Sequence, residues 1–190
     1  MIELCTLGHV LQPFFIDALV ARGSSMEYLD FSECTTASTE ALNRIAASFP
    51  KLAGISLSRT PIHNEGLRLL GMRSTSLTML NICNTVVTLP TLGHLLAHLP
   101  HLQKLYLLGC FKDDPGMLDA AVLPPRLALQ ALCLTLAPRC PDEAVAAILS
   151  RSGNLHTLML SSNPQLTDAA LEPVPSCTPC LWFVKNLPSR

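Results

Sequence analysis

A nine-residue frame recurs six times along this chain of 190 residues. Leucine or another large apolar residue occupies its first, fourth and sixth positions, and the ninth position holds Cys, Thr, Ala or Asn. The six copies begin at residues 26, 52, 77, 102, 129 and 155, so successive starts lie 26, 25, 25, 27 and 26 residues apart. One copy cannot bury its own apolar side chains, and only stacking against neighbouring copies removes them from water. The repeat therefore predicts a solenoid.

The frame L-x-x-L-x-L-x-x-(C/T/N) resembles the leucine-rich-repeat family, whose repeats are roughly 20–29 residues long. The resemblance implies an α/β fold: a leucine-rich-repeat solenoid with a curved, parallel inner sheet and outer helices. Positions four and six of each copy alternate inward on a short strand, so positions three, five and seven point outward. We expect one domain over residues 1–190, with regular repeats at the six starts and partial repeats at 1–25 and 181–190.

Helical spacing of apolar residues follows the frame, after helix N-cap residues such as Ser38 and Thr167. We predict one outer helix per repeat, which resembles the cysteine-containing and ribonuclease-inhibitor-like subtypes of the family. The ninth position turns inward, where its side chain can hydrogen-bond exposed backbone groups. Ala137 cannot do so, and we expect looser structure from Ala137 to Pro141. Neither end shows a polar cap, which favours a fragment, a short isoform, or a chain that covers its own end with Trp182 and Phe183.

Charge and hydropathy restrict the partners. The 13 Lys and Arg residues nearly balance the 14 Asp and Glu residues, so no basic field exists to gather nucleic acid. A hydrophobic share of 49% excludes a disordered chain. No stretch of about 18 apolar residues is free of charge and proline, and Glu3 stands where a signal peptide would be basic. We expect a soluble, intracellular, cytoplasmic protein, without nucleic-acid or membrane partners, whose eight cysteines are mostly reduced and buried.

Three short patterns are candidates for chemical sites. His94 and His98 share one helix face, but no carboxylate partner follows them, and a polar helix face is the favoured interpretation. Cys177 and Cys180 form a C-x-x-C pair that lacks the second pair of a zinc ribbon and the setting of a redox motif. The run Asp113–Gly116 lacks the alternating ligands of a calcium loop and is interpreted as a turn. We therefore predict no catalytic residue, metal or cofactor.

The outward positions of the inner sheet carry the favoured function. They form a neutral face of small residues with a few larger anchors, which suits a protein partner. We predict a non-catalytic adaptor, scaffold or inhibitor, acting as a monomer or within a larger complex. An alternative is the substrate-recognition segment of a ubiquitin-ligase receptor, and a metal- or thiol-dependent enzyme is the third. The predicted contact residues are Tyr28, Asp30, Ser56, Met79, Asn81, Lys104, Tyr106, Thr157 and Met159.

Overall fold

The computed structural model describes residues 2–3, 13–21 and 25–174. Within these ranges, seven short parallel strands follow one another in chain order in one sheet. The strands are β1 (Ile2–Glu3), β2 (Tyr28–Asp30), β3 (Gly54–Ser56), β4 (Met79–Asn81), β5 (Lys104–Tyr106), β6 (Ala131–Cys133) and β7 (Thr157–Met159). The α-helices are α1 (Pro13–Ala21), α2 (Thr39–Ser48), α3 (Asn64–Arg73), α4 (Leu89–His98) and α5 (Asp142–Leu149).

The core lies between the sheet and the helices and consists of the repeated apolar positions. The fourth-position residues are at most 1% exposed, and they face one another in register from strand to strand. Each buried Leu or Ile contributes about 1.5–3 kcal/mol relative to an exposed one, so stacking is the main stabilising interaction of the fold. This row comprises Leu29, Ile55, Leu80, Leu105, Leu132 and Leu158.

A left-handed residue ends every regular strand segment. The eighth frame position has a φ between 54° and 71° in all six copies, although only one of them is glycine. In the first five of the six copies, the backbone N–H of this residue donates to a backbone carbonyl of the next repeat. The Arg59 N–H, for example, lies 2.9 Å from Cys83 O. The left-handed turn therefore continues the ladder between repeats beyond the strands. The six residues are Glu33, Arg59, Asn84, Gly109, Leu136 and Ser162.

Polar side chains at the ninth position bond the backbone, either within their own repeat or to the preceding one, as Cys110 does to Ile82 O at 3.2 Å. Thr60 and Thr85 each donate to the sixth-position carbonyl of their own repeat at 2.7 Å. Asn163 donates to Leu160 O at 3.0 Å and also to a carbonyl of the preceding repeat, Leu134 O, at 2.6 Å. Its Oδ1 accepts the N–H of Ala137 at 2.7 Å. The expected looseness after Ala137 is therefore wrong: Ala137 is fully buried because Asn163 supplies the missing polar atoms.

Two repeats lack the α-helix that the sequence predicts for each copy. The repeat that begins at residue 102 has only a 3₁₀ turn at Ala120–Val122. The repeat that begins at residue 155 has a 3₁₀ turn at Asp168–Leu171. Prolines explain both exceptions, because Pro115, Pro124 and Pro125 bracket the first segment and Pro173 follows the second.

Several predictions about the chain ends lie outside the described residues. The partial repeat at 181–190 belongs to this group, as do Trp182 and Phe183. The division into one domain with two partial end repeats stays a prediction. Within the described ranges, none of the helices combines the length and apolar character needed to cross a membrane.

Replacing Asn163 tests the bridge between the last two repeats. Asn163→Ala leaves the buried Leu134 and Leu160 carbonyls and the Ala137 N–H without their side-chain partner. An unsatisfied buried group costs about 1–3 kcal/mol, so we expect about 3 kcal/mol or more of lost unfolding free energy in urea titrations. The matched control is Thr60→Val. It keeps the shape of the side chain and removes a single hydrogen bond, so it costs about 1 kcal/mol. Equal losses in the two variants would contradict the bridging role.

Candidate functional site

All nine predicted contact residues lie on the outward face of the sheet, in two parallel rows. Each row crosses the strands in register, and neighbouring strands are about 4.8 Å apart. We call this surface the concave face. The third-position row is Tyr28, Gly54, Met79, Lys104, Ala131 and Thr157, and the fifth-position row is Asp30, Ser56, Asn81, Tyr106, Cys133 and Met159.

In the third-position row, the ring of Tyr28 packs over Gly54. A Cβ added to Gly54 would lie 2.6 Å from Tyr28 Cδ2 and 3.5 Å from Met79 Cε. The missing side chain therefore lets the Tyr28 ring and the Met79 thioether approach each other across β3. Both side chains remain partly exposed, so they form an apolar patch that is open to solvent.

The fifth-position row begins with a polar network whose groups satisfy one another. Asp30 Oδ1 accepts the N–H of Ser32 at 2.8 Å, and Asn81 Oδ1 accepts the N–H of Cys83 at 3.1 Å. Asn81 Nδ2 donates to Ser56 Oγ at 3.0 Å, and the Ser56 and Ser32 hydroxyl oxygens lie 2.7 Å apart. Because Ser56 and Asn81 each make two of these bonds, this part of the face is preorganised.

Ser56 differs from the other predicted contact residues in its burial. It is only 2% exposed, while the flanking Asp30 and Asn81 are partly exposed. Its hydroxyl acts as the central link of the polar network, so its role here is to position Asn81. Beyond Asn81 the row becomes largely apolar, with Tyr106 partly exposed and Met159 38% exposed.

Lys104 places a positive charge near the middle of the concave face. It is exposed on β5 between Met79 of β4 and Ala131 of β6. The ion pairs found among the described residues are Arg44 with Asp17 and Arg59 with Glu33, so no described acid pairs with Lys104. The ammonium group is therefore free to meet a carboxylate among apolar neighbours.

The thiols of Cys83, Cys110 and Cys140 are protonated at neutral pH. Burial raises the pKa of Cys110 to about 11 and that of Cys140 to about 12. Burial also raises the pKa of the half-buried Cys83, which faces outward at the seventh frame position. Because the thiolate is the nucleophilic form, these three thiols act as small apolar side chains.

The other patterns considered from the sequence form no metal centre within the described ranges. There, no three His, Cys, Asp or Glu side chains come close enough together to hold a metal ion. His94 and His98 stack with their ring centroids 4.0 Å apart, and Asp114 Oδ1 accepts the N–H of Gly116 at 3.0 Å within a turn. Cys177 and Cys180 lie outside the described residues.

Gly54 and Cys133 also belong to the two rows, although neither is among the nine predicted contact residues. The sequence does carry a signal for this contact. Position three holds a tyrosine in one repeat and a glycine in the next, which leaves space above Gly54 for the Tyr28 ring. The cross-strand register then makes the two side chains direct neighbours.

Comparison with known proteins bears on the fold. No protein-family model matches the chain, and no curated protein sequence matches it. A solved structure, the tropomodulin C-terminal domain of Caenorhabditis elegans, is similar at 15% identity and a TM-score of 0.51, covering 84% of this chain and 88% of that one. The chain has the leucine-rich-repeat fold.

A second similar structure is Rad7 in the yeast Rad7 and Elc1 complex. It shares 16% identity at a TM-score of 0.49, and the match covers 84% of this chain and 51% of that one. This chain therefore spans about half the length of that protein.

The raised thiol pKa values predict a fall in stability at alkaline pH. In the unfolded chain these thiols ionise near 9.0, whereas in the folded chain Cys110 and Cys140 ionise at about 11 and about 12. The unfolded state therefore releases its protons first, and the stabilisation is complete below pH 9 and lost as the pH rises toward 12. We expect the Tm measured by circular dichroism to fall more steeply between pH 8 and 10.5 in the native protein than in Cys110→Ala/Cys140→Ala. Parallel curves would contradict this assignment.

Proposed function

We propose that this chain is a non-catalytic protein-interaction module whose concave face binds a protein partner. The observation that carries the proposal is the two-row arrangement of Tyr28, Met79, Lys104, Tyr106 and Met159. These partly exposed or exposed side chains share one rigid sheet, although they are up to 131 residues apart in sequence (159 − 28).

The side-chain types on this face are those that dominate binding energy in protein interfaces. Tyrosine is enriched among interface hot spots, and methionine adapts its shape to different partners. The Tyr28–Met79 patch and the Tyr106–Met159 region flank Lys104, so one partner surface can bury apolar area on both sides of a carboxylate that pairs with the lysine. We propose the roles of adaptor, scaffold or inhibitor for such a face.

Rigidity supports binding by this surface. A surface that is already ordered loses little conformational entropy on association. The Asp30 and Asn81 side chains are fixed by backbone N–H groups, and Ser56 joins Asn81 to Ser32. The polar end of the face therefore acts as a preformed template.

The finer assignments follow from the repeat. We propose the cysteine-containing or ribonuclease-inhibitor-like subtype, because α2, α3, α4 and α5 are full helices and two ninth positions hold cysteine, at Cys34 and Cys110. We also propose a cytoplasmic location, where buried thiols stay reduced, and a partner that is neither nucleic acid nor membrane.

Affinity capture with matched variants tests the concave face. The protein and the variant Tyr28→Ala/Tyr106→Ala/Met159→Ala are immobilised, and captured proteins are quantified by mass spectrometry. Truncating hot-spot side chains costs at least about 1–2 kcal/mol each, so we expect the specific partner to be lost by about tenfold or more. Circular dichroism and the Tm check that the fold is retained.

The control variant is Lys51→Ala/Glu65→Ala/Glu143→Ala, which changes three exposed residues outside the concave face. It should retain the partner. A third variant, Gly54→Val, keeps all nine predicted contact residues but displaces the Tyr28 ring, and we expect it to weaken the same interaction. Capture that is unchanged by the triple concave variant, or lost in the control, would refute the proposed surface. Recovery of a ubiquitin-ligase core subunit would favour the alternative role.

A further inference from the structure

A recess lies on the helical side of the solenoid, away from the concave face. Its floor is the outer stripe of α4, formed by Pro90, His94, Ala97 and His98, and its volume is about 320 Å³. Arg68 of α3 stands on one side and Met117 on the other. We call this recess the α4 groove.

The missing helix of the following repeat creates the α4 groove. Residues 112–119 run as a loop instead of a helix, and Leu118 and Val122 pack on α4 beside Gly93. A Cβ on Gly93 would lie 2.9 Å from Leu118 Cδ1, which shows how closely the loop approaches the helix. The loop thus covers one flank of α4 and leaves the outer stripe open.

The apolar wall of the α4 groove is unusually exposed for its residue types. Met117 is 86% exposed, and Val122 is 48% exposed. Exposed apolar patches of this kind mark interaction sites, and methionine is common on surfaces that accept varied side chains. Because the wall projects into solvent, a ligand seated here would be covered on one side only.

The polar groups of the groove are mainly cationic or proton-donating. No described acid forms an ion pair with Arg68. His98 Nδ1 lies 2.8 Å from the His94 carbonyl and donates to it, while His94 Nδ1 is enclosed without a hydrogen-bond partner. The acid in the lining, Asp119, already accepts the N–H of Ala121 at 2.8 Å. The unpaired Arg68 guanidinium is therefore the group of the groove that offers a charge to a further carboxylate, whereas His94 Nδ1 is enclosed near Gly71 of α3.

We propose that the α4 groove docks a partner segment that presents a carboxylate beside apolar side chains. The carboxylate would meet Arg68 and the two histidines, and the apolar side chains would cover Met117 and Val122. An extended peptide fits an open groove, whereas small-molecule sites usually bury 70–90% of their ligand. The groove is independent of the concave face, because no residue is common to the two surfaces.

Fluorescence anisotropy with designed peptides tests the α4 groove in the full chain. The labelled peptide is Gly-Ser-Asp-Leu-Leu-Ser-Gly, and its two controls replace Asp by Asn or both Leu residues by Ser. The Asn peptide loses a charge-assisted contact and the Ser peptide loses the apolar side chains that cover Met117 and Val122. Each of these losses is enough for about a tenfold change in Kd, so both control peptides should bind at least about tenfold more weakly. Equal binding of the Asn peptide would overturn the proposal.

Protein variants locate the binding in the groove. Arg68→Gln and Met117→Ser should each weaken binding of the acidic peptide by about tenfold. Their matched controls are Arg139→Gln and Val86→Ser, which change an exposed arginine and an exposed apolar residue outside the groove and should bind as the native protein does. Losses in the control variants, or none in the groove variants, would place the peptide elsewhere. Octanoate that competes as well as the peptide at equal concentration would overturn the peptide assignment in favour of a small amphipathic acid.

The pH dependence provides a further readout. Burial first, and then the positive charges of His98 and Arg68, lower the pKa of His94 in the free protein. A bound carboxylate favours the protonated ring against these effects, as the negative charge of Asp119 in the lining also does, so binding takes up a proton. The acidic peptide should bind more tightly at pH 6 than at pH 8, and the Asn peptide should show no such difference. An acidic peptide with equal affinity at both pH values would contradict a carboxylate beside His94.

Discussion

The fold depends on the burial of each repeat's leucines by the neighbouring repeats. Ile55, Leu80 and Leu105 are completely buried because the strands on either side carry an equivalent residue in register. Backbone bonds reinforce this stacking, since the left-handed residue at position eight of one repeat donates to the next repeat. The inward positions thus need a large apolar residue in every copy, whereas the outward positions can hold other residue types. Function can therefore vary on the concave face without loss of the fold.

The concave face and the α4 groove arise from different departures from the repeat. On the concave face, the framework is regular and individual side chains vary, as where Gly54 leaves space for Tyr28. At the α4 groove, the framework itself changes, because prolines remove one helix and expose Met117 across the groove from Arg68. The first surface uses the regular sheet as a rigid platform, and the second uses a gap in the helical layer.

The repeat frame predicts most of the fold because its physical rule is local and periodic. The strands, their inward residues and the two outward rows all follow from the spacing. Three features do not follow, because they depend on contacts between repeats: the bridging bonds of Asn163, the left-handed conformation of residues such as Leu136, and the seat of Tyr28 over Gly54. The absence of an α-helix after Cys110 has another cause, because prolines interrupt the segment where the repeat places a helix.

Binding of a protein partner on the concave face can be tested by site-specific photo-crosslinking. A benzophenone side chain replaces Tyr106 in one preparation and Met72 of α3, which is 58% exposed, in another. Irradiation of the complex with a partner obtained by affinity capture is followed by mass spectrometry of the linked peptides. We expect strong crosslinks to the concave-face partner from position 106 and none from position 72. Crosslinks to that partner from position 72 alone would contradict this expectation.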